Sequence, residues 1–311
     1  MNGLFTQAYI IVAITAGLTS ALPLMLAALG ETIGEQSGVL NLGVEGIMLI
    51  GGFSGYVCVL NTHSVLLGGL CGAFFGILSS LILVSLSVML GLNQIVVGIA
   101  ITLAGEGVTS VLQQSKYGSS NPRLSSVSPV KIPLLSRIPI IGPSVFTQPI
   151  FLYISLLLAL VVAWGLLKTN AGLRIKAAGQ KPGSLDAAGG SVIRTRTFSV
   201  MLAGGFAGLG GAYFSIIGSG SFTPMMTGGL GYIAIVVAML ARGRVSWVVG
   251  GSLMFGFCVS LTTVLQMAGI NIPSDAVNII PFVAVLATLI IFARSAYIPP
   301  ALGVPYIRGS R

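Results

Sequence analysis

The sequence predicts an all-α fold: a polytopic helical membrane bundle of about nine transmembrane helices. Three observations predict it. Only 7% of the 311 residues are charged, while 55% are hydrophobic and the mean hydropathy is +1.01. A soluble domain carries about 25% charged residues, so lipid is the natural solvent for most of this chain. The apolar runs are long and continuous, which fits helices and not the period-two alternation of a membrane barrel. The basic residues fall in short clusters between the runs, as orientation signals do.

Nine apolar segments emerge, near residues 8–29, 39–61, 64–90, 93–115, 150–168, 197–217, 229–241, 245–267 and 277–293. The first has no basic stretch before it and reads as a retained helix, not a cleaved leader. The chain is treated as one membrane domain over 1–311. Loop 168–196 carries Lys168, Arg174, Lys176, Lys181, Arg194 and Arg196. The turn 242–244 carries Arg242 and Arg244, and the tail carries Arg294, Arg308 and Arg311. Alternating spans put these eleven of the fifteen basic residues on one side, the cytoplasm by the positive-inside rule. The N-terminus and the loop 116–149 then lie outside. That loop holds six prolines and reads as an irregular excursion with one short helix.

Two glycine-rich stretches interrupt the hydrophobic pattern and predict broken segments near 30–45 and 218–231. The first is Gly30-Glu-Thr-Ile-Gly-Glu-Gln-Ser-Gly38, followed by Asn41 and Glu45. The second runs from Gly218 through Phe222, Thr223 and Pro224 to Gly231. The 13 clear apolar residues that follow it would span only about 20 Å of a core about 30 Å thick, so part of 218–228 is expected to dip into the membrane. Interrupted segments in both halves of a chain point to a transport path.

Chemistry is conspicuous by its exclusions. No phosphate loop GxxxxGK[ST] occurs, so the chain is not expected to hydrolyse ATP. One histidine, His63, cannot build a zinc site, and no metal or cofactor is expected. Cys58, Cys71 and Cys258 lie in apolar runs without CxxC spacing and read as buried thiols. The basic residues form no phosphate-binding stripe, so nucleic acid is not an expected partner. Gly204, Gly205, Gly208, Gly210 and Gly211 share one predicted helix and read as a close helix-packing face. Polar groups at depth are functional candidates by default, which singles out Asn41, Glu45, Asn93, Gln94 and Glu106. Interhelical hydrogen bonding is the plain alternative for each of them. Phe222 and Thr223 could line an outer gate.

The stretch Ser37-Gly-Val-Leu-Asn-Leu-Gly-Val-Glu-Gly46 resembles the signature of the ribose and branched-chain amino acid type of ABC importer permease. The closer branch is the simple-sugar and nucleoside permeases that work beside basic-membrane-protein-type binding lipoproteins. Asn93-Gln-Ile-Val-Val-Gly98, Gly172-Leu-Arg-Ile-Lys-Ala-Ala-Gly179, Ala203-Gly-Gly-Phe-Ala-Gly-Leu-Gly-Gly-Ala-Tyr213 and Gly228-Gly-Leu-Gly-Tyr-Ile-Ala234 resemble the same branch. One departure is Lys176-Ala-Ala-Gly-Gln-Lys181, where relatives often show Arg-Ala-x-Gly-x-Asn.

The resemblance implies a transport subunit without catalysis, in the bacterial cytoplasmic membrane. Its expected partners are a separate ABC ATPase subunit, a second homologous permease in a heterodimer, an external substrate-binding lipoprotein and membrane lipid. It also implies a coupling helix in loop 168–196 that docks the ATPase, with Gly179, Pro182, Asp186, Ala187, Ala188 and Gly189 as its residues. A nucleoside is the first expected solute; a simple sugar or a riboflavin-like vitamin is the alternative. A proton-coupled secondary transporter, with Glu45 and Glu106 carrying protons, is the competing reading from the residues alone.

Overall fold

A computed structural model describes residues 7–118, 120–125, 127–133, 135–267, 279–292 and 298–307. Its elements run α1 (Gln7–Gln36), α2 (Val44–Thr62), α3 (Val65–Leu83), α4 (Gln94–Tyr117), α5 (Ile141–Val145), α6 (Ile150–Lys168), α7 (Asn170–Gln180), α8 (Pro182–Ala187), α9 (Val192–Tyr213), α10 (Leu230–Ala241), α11 (Val245–Met267) and α12 (Ile280–Phe292). Among the described residues, six helices are long and apolar enough to cross a membrane: α1, α2, α3 with the turn that follows it, α4, α6, and α9 with its own following turn. The segments expected near 229–241, 245–267 and 277–293 are helical over Leu230–Ala241, Val245–Met267 and Ile280–Phe292. Residues 277, 278 and 293, and the basic residues Arg294, Arg308 and Arg311, lie outside the described residues.

α1 is the central post. Every residue from Ala21 to Gln36 is buried, and the helix packs against α9, α10 and α11. It corrects the expected boundary of the first break. The apolar run ends at Leu29, yet the helix continues through Glu31 and Glu35 to Gln36. Glutamate and glutamine are good helix formers, and burial on all sides supports the added turns. The break is confined to residues 37–43.

The glycine-rich α9 packs as its composition predicts. A Cβ on Gly208 would meet the backbone of Gly72 and Gly76 on α3, and a Cβ on Gly204 would lie 2.6 Å from the Gly76 carbonyl oxygen. A Cβ on Gly211 would collide with the Met48 carbonyl of α2. Small residues let these backbones touch, and dispersion does the rest where lipid supplies no hydrophobic drive between helices. The outer helices turn their large side chains away from this core. Leu70 and Phe74 on α3, Leu103 and Val111 on α4, and Leu160 and Leu167 on α6 are exposed. An apolar patch of that extent suits lipid.

Loop 118–149 is irregular, as its prolines require. It holds α5, a single helical turn at Leu135–Arg137, and a two-residue ladder with Val130 opposite Gln148.

Candidate functional site

In the 37–43 break the N–H groups of Ser37, Gly38 and Val39 still bond to carbonyls of α1, but the groups beyond them lie outside any helix, and buried N–H and C=O groups must find partners. Leu40 N–H donates to Gln94 Oε1 at 2.8 Å, and Asn41 N–H donates to Glu31 Oε1 at 3.0 Å. Gly43 N–H donates to Asn41 Oδ1 at 3.0 Å, and Thr102 Oγ1 donates to the Leu42 carbonyl at 3.1 Å. Gly303 N–H donates to the Gly38 carbonyl at 3.2 Å. Asn41 and Gln94 are therefore framework groups of the break. Asn93 caps α4, its Oδ1 accepting from Ile95 N–H at 2.9 Å and Val96 N–H at 3.3 Å.

The second break reaches the first. Leu124 N–H donates to the Gly220 carbonyl at 2.8 Å, and Tyr56 Oη donates to the Pro122 carbonyl at 2.6 Å, so loop 118–149 covers the start of this break. Phe222 is wholly buried, its ring edge-on to Phe53 at 5.2 Å and tilted against Tyr56 at 6.4 Å. Five residues later Thr227 meets Glu45. Residues 222–227 thus run along α2 from Tyr56 to Glu45, eleven residues or about 16 Å of helix. The short α10 covers the remaining depth, ending at a turn where a Cβ on Gly243 would lie 2.6 Å from the Gln36 side chain.

Glu45 is the meeting point. Its Oε1 accepts from Thr227 Oγ1 at 2.6 Å and Gly229 N–H at 2.8 Å, and its Oε2 accepts from Gly231 N–H at 2.6 Å. These donors stand at the N-terminus of α10, where unpaired N–H groups and the helix dipole favour a carboxylate. The turn that aims them needs glycine, because Gly228 and Gly229 have φ of +53° and +89°. Gly231 is constrained by space instead: a Cβ there would lie 2.6 Å from Glu45 Cα. All three bonds run toward the carboxylate oxygens, which accept them.

Arg196 holds the basic end together. It lies one turn into α9 and is buried. Its Nε donates to the Ser37 carbonyl at 3.2 Å, and Nη1 donates to the Val304 carbonyl at 2.8 Å. Nη2 lies 3.4 Å from the carbonyls of both Ala178 and Ala301. Five donors in a planar fork let one side chain bind carbonyls from the first break, α7 and the C-terminal segment. Ala301 N–H also donates to the Gly179 carbonyl at 3.0 Å, and a Cβ on Gly179 would strike the Gln36 carbonyl.

α8 begins on Pro182 at its first helical position, as the sequence predicts, and Leu185 anchors it against Ala178, Val192 and Tyr306. Ala187, Ala188 and Gly189 are exposed, Asp186 is half-buried, and Gly189 takes the left-handed φ of +81° that ends the helix. Gly179 alone of the six expected coupling residues faces inward.

The structure therefore divides the seven candidate path residues. Asn41, Glu45, Asn93, Gln94 and Phe222 bind the framework. Glu106 is half-buried midway along α4, and among the described residues its carboxylate has no partner. Thr223 is exposed. Sequence reasoning missed Thr102, Thr227 and the internal role of Arg196. The last had a readable signal, since Arg196 directly precedes the apolar run of α9.

The match to known proteins is nearly end to end. The family described as branched-chain amino acid transport system, permease component, matches residues 13–293. The chain belongs to this permease family. The permease is 31% identical over 309 residues to a guanosine ABC transporter permease of Bacillus subtilis, covering 96% of this chain and 97% of that one. It is 32% identical over 300 residues to a nucleoside ABC transporter permease of Lactococcus lactis, covering 92% and 93%. It is 33% identical over 281 residues to a putative glucose ABC transporter permease of Haloferax volcanii, covering 89% and 83%. No solved structure matches it. The permease is a multi-pass inner-membrane transport subunit of an ABC importer and not an enzyme; such a subunit works with an ATPase.

Proposed function

We propose that this permease forms the path for a nucleoside in an ATP-driven importer. The observation that carries the reading is the full-length likeness to the guanosine and nucleoside permeases, which covers both breaks and the coupling loop. The glucose permease likeness supports a second reading, a simple sugar. Both solutes present hydroxyl groups, and Glu106 and Thr223 are the candidate groups with side chains free to meet them. An unpartnered carboxylate midway along a membrane helix is costly unless it faces polar company. Uptake of radiolabelled guanosine by cells with and without the gene decides between the readings. Gene-dependent guanosine uptake that excess unlabelled nucleoside blocks and excess glucose leaves intact supports the first. Gene-dependent glucose uptake with no guanosine uptake overturns it.

Nine spans, with the N-terminus outside and the C-terminus in the cytoplasm, are part of the same reading. In its support, Gly179, Gly243, Ala301 and Gly303 all adjoin Gln36, Gly38 or each other, so the described basic turns gather at one end. The ATPase docks at that end on α8 through Ala187, Ala188 and Gly189. A homologous second permease, an external binding lipoprotein and surrounding lipid complete the assembly. Ala188→Arg adds a large cation to this exposed surface without touching the core. It is expected to release the ATPase from solubilised membranes and reduce uptake at least tenfold while the permease still inserts. Normal co-purification of the ATPase would place the docking surface elsewhere.

A further inference from the structure

Cys58 of α2 and Cys71 of α3 have their sulfurs 3.1 Å apart, although no CxxC spacing announces the pair. The two helices form a hairpin across a turn at His63 and Ser64. Glycines hold the hairpin closed. A Cβ on Gly55 would lie 2.9 Å from the Gly68 carbonyl oxygen, and a Cβ on Gly72 would lie 3.0 Å from that of Gly51. The helix backbones touch there and cannot move closer; Cys58 lies between Gly55 and the turn, and Cys71 between Gly68 and Gly72. Both side chains are half-buried. A disulfide bond needs its sulfurs about 2.05 Å apart, a further approach of about 1 Å that side-chain rotation can supply.

We propose that Cys58 and Cys71 are a dithiol–disulfide couple that staples α2 to α3 at the end of the bundle facing the exterior. The location rests on the orientation proposed above; the couple itself rests on the sulfur geometry. The oxidant is an organic disulfide. One cysteine thiolate attacks it, forming a mixed disulfide and expelling one thiolate. The second cysteine thiolate attacks the protein sulfur of that mixed disulfide, closing the Cys58–Cys71 bond and expelling the second thiolate. The protein loses two electrons and two protons, and the organic disulfide becomes two thiols. The staple fixes the turn of α2 that carries Tyr56, whose hydroxyl holds loop 118–149 and whose ring adjoins Phe222.

The test uses the full chain in detergent with Cys258→Ser, so that the pair is read alone. Treatment with 4,4′-dithiodipyridine is expected to release two equivalents of thiopyridone. No pyridyl adduct should remain on the intact mass, and maleimide should label nothing until reductant is added. Cys58→Ser in the same background should release one equivalent and keep one adduct. Two retained adducts on the paired protein, each blocking one thiol, would overturn the proposal. Orientation is read separately in cells by Asn61→Cys in a cysteine-free background with a membrane-impermeant maleimide. Labelling from outside supports the exterior location. Protection from outside overturns the location while the purified-protein result stands.

Discussion

Glu45→Ala is expected to abolish uptake and lower the amount of folded permease. The substitution removes three hydrogen bonds, one from Gly229 N–H just before α10, one from Gly231 N–H in its first turn and one from Thr227. Two of the three donors are buried, and each left without an acceptor costs about 1–3 kcal/mol, so the loss is roughly 2 kcal/mol or more. That is a large share of a marginal folding stability of about 5–15 kcal/mol. It falls where non-helical backbone runs beside α2 and has little else to satisfy it. Glu45→Gln keeps the size but turns an amide NH2 toward at least one donor, and is expected to fall between wild type and Glu45→Ala. Thermal unfolding in detergent and uptake per inserted molecule give the ranking. A Glu45→Gln variant indistinguishable from wild type in both would contradict the anchoring role.

Arg196→Lys is expected to separate ATP hydrolysis from transport. Lysine keeps the charge but offers one compact group in place of a fork, so it cannot hold carbonyls of Ser37, Ala178, Ala301 and Val304 together. The exposed face of α8 is untouched, so the ATPase should still bind. What weakens is the link from α7 to the break at 37–43. In proteoliposomes the solute moved per ATP hydrolysed is expected to fall about tenfold, with ATPase binding unchanged. Arg196→Met leaves four carbonyls, two of them buried, without that donor and should also reduce folding. A fall in uptake with an unchanged ratio would assign Arg196 a purely structural role.

Much of this arrangement was legible in the sequence, and the reasons are physical. Apolar runs gave the helices because lipid leaves few alternatives to them. Pro182 marked the start of α8 because its ring suits the first helical position. The short run after Gly229 announced a broken segment because twelve or thirteen helical residues cannot cross a bilayer core. The continuation of α1 through Glu31 and Glu35 was not legible, because the apolar run stops at Leu29 and only burial inside protein supports the added turns. The roles of Gln94 and Glu45 were not legible either. Their partners lie 54 residues away for Gln94 and more than 180 for Glu45, and local spacing carries no trace of such pairings. The pairing of Cys58 with Cys71 was hidden for a related reason: it depends on two helices folding back across a turn.

The central claim is that this permease moves its solute at the expense of ATP through a coupling segment tied to the first break. The most direct test is gene-dependent uptake of radiolabelled guanosine, measured once with a protonophore at held ATP and once with ATP depleted. Uptake that survives the protonophore and stops with ATP depletion is the predicted result. Uptake that collapses with the protonophore while ATP is held would contradict the account and make Glu106 a proton carrier.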